Sequence, residues 1–558
     1  MRCAAVLLPL ATILIVVWPN LRGTAGTGAE TFFDITDPLF GDATATAPRF
    51  HDDPSPVVYD WPRDRRLRER VRAGHFDLWN PVPGNGVPLS SDPGGIFSPF
   101  RLLLYAAPGD PYTAFVLFRV ARLFVAALGT YLLARVCGLS RPGGAVAGIV
   151  FGLSGGMISQ LPFATVASVC WLPWICWAQQ RIALRGTAAA AVPHALAVAA
   201  AMTGGHQTIV TGVVLGALVH GAGVVAAQRS RGTWRRTALL AATGYGLGAL
   251  LAAPAILASA ELVANGHSYK AALPAAFRTA SSEMNLSLLF VGAVIPQTID
   301  ALRTAAGFSY PYVLNFSGGL LAYVLATVAV VRRRWRFEWA LLLLFGIAMC
   351  FGPPGFAWIA AVPFVKDILP RYMWALCMLP LALAAAAGAD ALWWRAGARD
   401  PVRAPARVAT SAGTDGPARR AAAATVARAI ALFAIATGAM AWITWHGFPG
   451  VGAAVTGALS ASPHARLLAG APAVAVVVTL TGAAALARLR RPWTPWLLAV
   501  ATCIEVAAIA LPHLREPPSR LIREDFPHET SDLADQIADE HGRVGGSAPL
   551  VVGWRGLR

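Results

Sequence analysis

Residues 112–134 read YTAFVLFRVARLFVAALGTYLLA, an apolar run broken by only two charges, Arg119 and Arg122. A helix of this length covers about the 30 Å of a bilayer's hydrocarbon core, which takes roughly 17–25 residues. Comparable runs recur along the chain. Spans are expected near 3–21, 112–134, 143–160, 163–180, 188–204, 208–227, 237–260, 311–331, 338–352, 372–394, 428–447, 467–487 and 494–512. Of the 558 residues 56% are hydrophobic and 13% charged, and the mean hydropathy is +0.55. Soluble domains carry about 25% charged residues, so the composition places the chain in a membrane. The fold class read from these numbers is an all-α polytopic membrane protein of about thirteen transmembrane helices.

The charges between the spans give an orientation. Arg135 and Arg141, Arg181 and Arg185, Arg229 to Arg236, Arg332 to Arg336, Arg395 to Arg428 and Arg488 to Arg491 all fall on one side if the spans alternate. Arginine excess marks the cytoplasmic side, so the N-terminus starts inside and the C-terminal tail finishes outside, as expected of a multi-pass protein of the cell inner (plasma) membrane. The same pattern accounts for the pI near 10.4 without a nucleic-acid partner. The cysteines, Cys3, Cys137, Cys170, Cys176, Cys350, Cys377 and Cys503, lie in or beside apolar runs and show no CxxC spacing. They read as small buried hydrophobes rather than disulfides or zinc ligands. The first apolar run reads as an uncleaved span because further spans follow it.

Outward from these runs, polar residues collect in one large loop, about 22–111, placed outside by the alternation. It holds His51-Asp52-Asp53-Pro54, then Asp60-Trp61-Pro62 and an arginine-rich stretch to Gly74. Pro62 suits a first helical turn, Leu67 and Val71 share a face at i,i+4, and Gly74 suits a stop. The expectation is a short cationic helix lying on the membrane surface, with some of its arginines open to a phosphate. Asp60 stands where an N-cap would. Asp52 and Asp53 have no adjacent helix to cap; they read either as a surface turn or as a general base for an acceptor hydroxyl. The glycines and prolines of 78–99 call for loop geometry.

Other candidates lie near the same outer face. Arg119 and Arg122, an i,i+3 pair in the outer half of their span, either stabilise an anion or snorkel and pair with a carboxylate such as Glu505. Lys270, Lys366 and Arg371 are outer-loop cations, and His206 and Gln207 sit between two spans, either touching substrate or satisfying helix-end groups. Asp390, at the cytoplasmic end of its span, reads as a partner of Arg395. Residues 261–310 and 353–371 read as interfacial or re-entrant pieces on the outer side. The domain reading is a membrane core over 1–395, a cytoplasmic linker over 396–427, further transmembrane helices over 428–512 and a short extracytoplasmic tail over 513–558, a short or truncated module.

The order Asp53-Pro54, Trp61, Gly74, Leu78-Trp79-Asn80-Pro81, Gly86, Pro88-Leu89, Ser98-Pro99 resembles the YfhO-like family of bacterial membrane proteins. WLPW at 171–174, GGHQT at 204–208, NFSGGLLAYVLA at 315–326 and LPRYMWALCMLPLALAAAAGADAL at 369–392 extend the likeness over most of 45–395. Asp60 departs from the family pattern, which has a proline there. The resemblance implies a GT-C-type glycosyltransferase fold, a polyprenyl-phosphate-linked sugar donor and a cell-envelope glycan or glycolipid acceptor. It also implies a catalytic aspartate in the first outer loop, which falls best on Asp53, with Asp52 and Asp60 as alternatives. A phosphate leaving group asks for cations, for which Arg119, Arg122, Lys270, Lys366 and Arg371 are the candidates, with His206 at the substrate. A divalent metal bridging Asp53 and the phosphate stays open, and no other cofactor is implied. A transporter or flippase of lipid-linked glycans, or a non-catalytic envelope assembly protein, is the alternative reading.

Overall fold

The computed structural model describes residues 4–22, 60–76, 79–80, 87–88, 95–265, 316–351, 372–393 and 494–513, with isolated helical positions between Ala424 and Ala439. The elements are α1 (Ala4–Leu21), α2 (Trp61–Arg72), β1 (Trp79–Asn80), β2 (Val87–Pro88), α3 (Pro99–Ala106), α4 (Pro111–Val136), α5 (Arg141–Gly152), α6 (Gly155–Ser159) and α7 (Thr165–Val169). They continue with α8 (Leu172–Arg185), α9 (Ala191–Met202), α10 (Gln207–Ala227), α11 (Trp234–Leu251) and α12 (Ala253–Asn265). After these come α13 (Leu320–Val331), α14 (Phe337–Phe351), α15 (Trp374–Trp393) and α16 (Thr494–His513). The two short strands pair antiparallel, Trp79 opposite Pro88 and Asn80 opposite Val87.

Local chemistry sets the boundaries. Asp110 accepts the Thr113 N–H at 2.7 Å to start α4, and the Ser140 hydroxyl accepts the Gly143 N–H at 3.1 Å to start α5. Both are side-chain oxygens satisfying a donor that a helix start leaves unpaired. The stretch expected as one span near 163–180 is divided at Cys170–Trp171 into α7 and α8. Pro173 has no N–H to give a continuous helix, yet suits the first turn of a new one. The expected span over 237–260 is likewise broken, with α11 and α12 meeting at 67°.

Among the described residues four helices are long and apolar enough to cross a membrane, Pro111–Val136, Arg141–Ser159, Gln207–Arg231 and Trp374–Leu392, and the bent α11–α12 pair is a fifth if taken as one span. Shorter apolar helices such as α13 and α14 pack among them. The surface carries large apolar side chains, with Ile15 72%, Leu250 70% and Leu257 68% exposed. Exposed apolar area on this scale suits lipid, not water. The chain is an α-helical membrane protein.

Side-chain size decides the packing centre. Ala382 and Ala384 to Ala387 of α15 are buried against α5 and α13, and small residues let helix backbones approach where no hydrophobic effect drives them together. Gly388 sits on the Leu325 carbonyl of α13, where a Cβ would overlap it. Polar pairs join other helices: Gln179 donates to the Ala217 carbonyl and the Tyr245 hydroxyl, each at 2.9 Å, and its oxygen meets His220 Nδ1 at 2.7 Å. The described cysteines are free; Cys137 is half-buried and the others are buried.

α4, α8, α10, α13 and α15 end side by side. Their first residues adjoin the 60–110 segment or the turns beside it, and their last residues converge with Arg231, Arg333, Arg334 and Arg336. The described connections bearing Arg231 and Arg333 to Arg336 thus gather at one end, and the loop helices α2 and α3 at the other. α4, with 26 residues, separates the two ends by about 39 Å.

Candidate functional site at the loop end of the bundle

Sequence places Pro62 at the start of α2 and Gly74 beyond its end, and the structure agrees. Gly74 is left-handed at φ +78, and His75 N–H returns to the Arg70 carbonyl at 2.9 Å, closing the helix. The face it buries differs from the expectation. α2 does not lie with its stripe in lipid. Leu67 packs with Ile96, Tyr105, Ala114, Phe118 and Ala167, and the polar neighbours Asp64 and Arg68 are buried beside it. One turn of spacing puts Asp64, Leu67 and Arg68 on one face, so burying the leucine carries both charges inward.

α3 has its partner face inverted. Its sequence PFRLLLYA buries Arg101 completely and Tyr105 nearly so, while Leu103 is 72% exposed. Arg101 and Tyr105, at i,i+4, both reach Asp64: the guanidinium forms an ion pair with one carboxylate oxygen, and the phenol donates to the other at 2.5 Å. Arg68 donates to the Ala107 and Gly109 carbonyls at 2.9 and 2.8 Å, satisfying the connection between α3 and α4. Burial pulls both guanidinium groups below the ordinary arginine value, with Arg72 adding to the effect at Arg68 and Tyr105 opposing it at Arg101.

Asp60 does not cap α2. Its backbone is already helical, φ −72 and ψ −43, and its carboxylate makes no cap bond; it pairs instead with Arg63 at 2.6 Å. Arg63 also approaches Asp64 at 3.4 Å, so Asp60, Arg63, Asp64 and Arg101 alternate in sign along one line. Of the two acids Asp60 keeps more access, with 15% of its side chain exposed against 6% for Asp64. A carboxylate held by one ion pair and open on one side can take a proton. One tied to both an arginine and a phenol is built to hold position.

Behind this line lie the two arginines of α4, and neither pairs with Glu505. Both are 2% exposed. Arg122 donates to the Phe163 and Leu161 carbonyls at 2.9 and 2.8 Å, tying α4 to the α6–α7 turn. Arg119 stacks on the Phe115 ring at 3.7 Å. Glu505 instead accepts the Leu320 N–H at 2.7 Å and the Leu321 N–H at 3.1 Å, capping α13 where Gly319 offers no side chain. Asp390, expected beside Arg395, accepts from the backbone N–H of Ser140 at 2.6 Å and from its hydroxyl.

GGHQT supplies a turn on which the loop docks. Gly95, at φ +70, presses on Thr203 and Gly204, where a Cβ would stand 2.6 Å from the Thr203 carbonyl oxygen. This contact docks the loop on the turn before α10. His206 precedes α10 without a side-chain cap bond, and its ring lies 5.3 Å from that of Tyr372. Gln207 donates to Ser259 at 3.3 Å.

Asp52, Asp53, Lys270, Lys366 and Arg371 lie outside the described residues. Among the described residues no three His, Cys, Asp or Glu side chains gather as metal ligands would. Sequence reasoning does not single out Asp64, Arg101 and Tyr105, because Arg101 stands inside an apolar octet. The i,i+4 spacing of an arginine and a tyrosine in that octet is the available signal. No family model matches the chain, and no curated protein shows significant similarity to it.

Proposed function

We propose that the chain is a membrane glycosyltransferase. It moves a sugar from a polyprenyl-phosphate carrier to a cell-envelope acceptor on the outer face of a bacterial plasma membrane, in a GT-C-like fold of about thirteen spans. The N-terminus is cytoplasmic and the C-terminus extracytoplasmic. The motif order shared with the YfhO-like family motivates the reading. The single structural observation that supports it is the buried Asp64–Arg101–Tyr105 junction, which fastens the loop helices α2 and α3 to each other where Leu67 packs with Ala114 and Phe118 of α4. Chemistry performed by a loop needs such a support, because a misplacement of about 1 Å costs on the order of a hundredfold in rate.

In this reading a loop aspartate, Asp53 with Asp52 and Asp60 as alternatives, takes the acceptor hydroxyl's proton. The acceptor oxygen bonds to the anomeric carbon as the bond from that carbon to the phosphate oxygen breaks, and polyprenyl phosphate leaves with the electron pair. Lys270, Lys366 and Arg371 are the cations assigned to the departing phosphate. Arg122 is less suited, since its donors are engaged by carbonyls. Membranes containing the chain, supplied with polyprenyl-phosphate sugar and an envelope acceptor, should show transfer. Activity that survives Asp52→Asn, Asp53→Asn and Asp60→Asn together would sink the mechanism.

One observation favours a second reading. The 67° break between α11 and α12 resembles the discontinuous helices of transporters. Movement of labelled lipid-linked glycan across the bilayer without chemical change would establish that reading instead.

A further inference from the structure

The opposite end of the bundle holds a cavity of about 380 Å³ where the ends of α4, α8, α10, α13 and α15 meet the start of α14. This volume falls in the range of small-ligand sites, roughly 300–1,000 Å³. Four arginines line it, Arg231, Arg333, Arg334 and Arg336, against two acids, Glu338 and Asp390. The acids are already engaged. Glu338 is buried and pairs with Arg336 at 2.6 Å, while also accepting from Gln180 at 2.9 Å. Asp390 takes both donors of Ser140. Among the described residues Arg231, Arg333 and Arg334 enter no ion pair, so the wall is left with an excess of positive charge.

Two further features bear on the ligand. Arg333 is the one described non-glycine residue with positive φ, +52, held by its own N–H to the Val330 carbonyl at 2.9 Å and by the next N–H to Ala329 at 2.8 Å. Glycine is the usual residue at such a helix end, and here an arginine stands in a strained conformation at the cavity wall. The rim is apolar on its outer side, where Leu184 is 50% and Phe337 60% exposed. Arg231, Arg333 and Arg334 are solvent-accessible, and with exposed leucine and phenylalanine beside them they make a two-part surface site, one part for an anion and one for hydrocarbon.

We propose that this cavity binds the headgroup of an anionic phospholipid. The phosphodiester lies among Arg231, Arg333 and Arg334, and the acyl chains run out past Leu184 and Phe337. Basic pockets between helices at a membrane surface recognise lipid phosphates in this way. The site lies at the far end from the loop acids and does not depend on the transfer chemistry.

Native mass spectrometry of the full chain in detergent, titrated with phosphatidylglycerol or with phosphatidylcholine of the same acyl chains, reads the site directly. The expected result is a discrete phosphatidylglycerol adduct favoured by about tenfold or more. It should be lost in Arg231→Gln/Arg333→Gln/Arg334→Gln and kept in the charge-matched Arg65→Gln/Arg66→Gln/Arg72→Gln at the loop end. Arg333→Gly supplies a variant that relieves the backbone; it should melt no lower than the parent yet bind phosphatidylglycerol more weakly. Equal adducts with both lipids, retention by the cavity triple variant, or full displacement by an equal concentration of inorganic phosphate would each overturn the proposal. The last outcome would assign the site to a soluble phosphate.

Discussion

Asp64 and Arg101, 37 positions apart in the chain, form a buried ion pair whose second carboxylate oxygen is closed by Tyr105 at 2.5 Å. Removing one member strands a charge inside the protein. Asp64→Asn or Arg101→Gln alone should therefore cost on the order of 3–5 kcal/mol, and Tyr105→Phe about 1.5–3 kcal/mol. Thermal unfolding in detergent measures each. A double variant whose loss equals the sum of the singles would show that the pair is not coupled.

Gly95 should tolerate no side chain. A Cβ would meet the Thr203 and Gly204 backbone at 2.6 Å, and φ +70 penalises any L residue. Gly95→Ala is expected to release the loop from the turn before α10 while leaving the transmembrane helices assembled. Limited proteolysis should then cut within 60–110 faster in the variant than in the parent; unchanged cleavage would refute the docking role.

Glu505 acts on α13 from another helix, through the Leu320 and Leu321 N–H groups. Glu505→Ala should lower stability by roughly 0.5–2 kcal/mol, the usual worth of an N-terminal cap. Glu505→Gln keeps an acceptor oxygen and should lose less. If the two variants melt at the same temperature, capping is not what Glu505 contributes.

The two ends of the bundle should face opposite sides of the membrane. Glu69, with 53% of its side chain exposed, belongs to the loop end, and exposed Arg333 to the arginine-rich end. In a Cys3→Ala/Cys137→Ala background, Glu69→Cys should react with a membrane-impermeant maleimide from outside intact cells. Arg333→Cys should react only after the membrane is opened. Labelling of both from outside would contradict the orientation drawn from the arginine pattern.

Local rules make several elements legible in the sequence. Pro62 and Gly74 bracket α2 because each restricts or frees one backbone torsion at that residue alone. The spans of α4, α10 and α15 follow from length and apolarity. The breaks at Cys170–Trp171 and Ala252 are harder to read, since apolar composition continues across them and only a proline in the first turn of the following helix, Pro173 in one and Pro254 in the other, marks them. The inward turn of α2 is hidden because its composition is that of a surface helix; a partner face on α3 is needed to compensate the buried charge.

Sequence by itself determined that this is a helical membrane protein and that the polar loop after α1 contains a short helix. These properties depend on what each segment prefers as solvent and on torsions set residue by residue. Tertiary structure alone decided that Asp60 pairs with Arg63 instead of capping. It also decided that Asp64 is held by Arg101 and Tyr105, that Arg122 serves two backbone carbonyls, and that Glu505 caps a helix that begins 185 residues earlier in the chain. A buried charge is tolerable only where a complementary group meets it in space, and segments far apart in the chain supply that group.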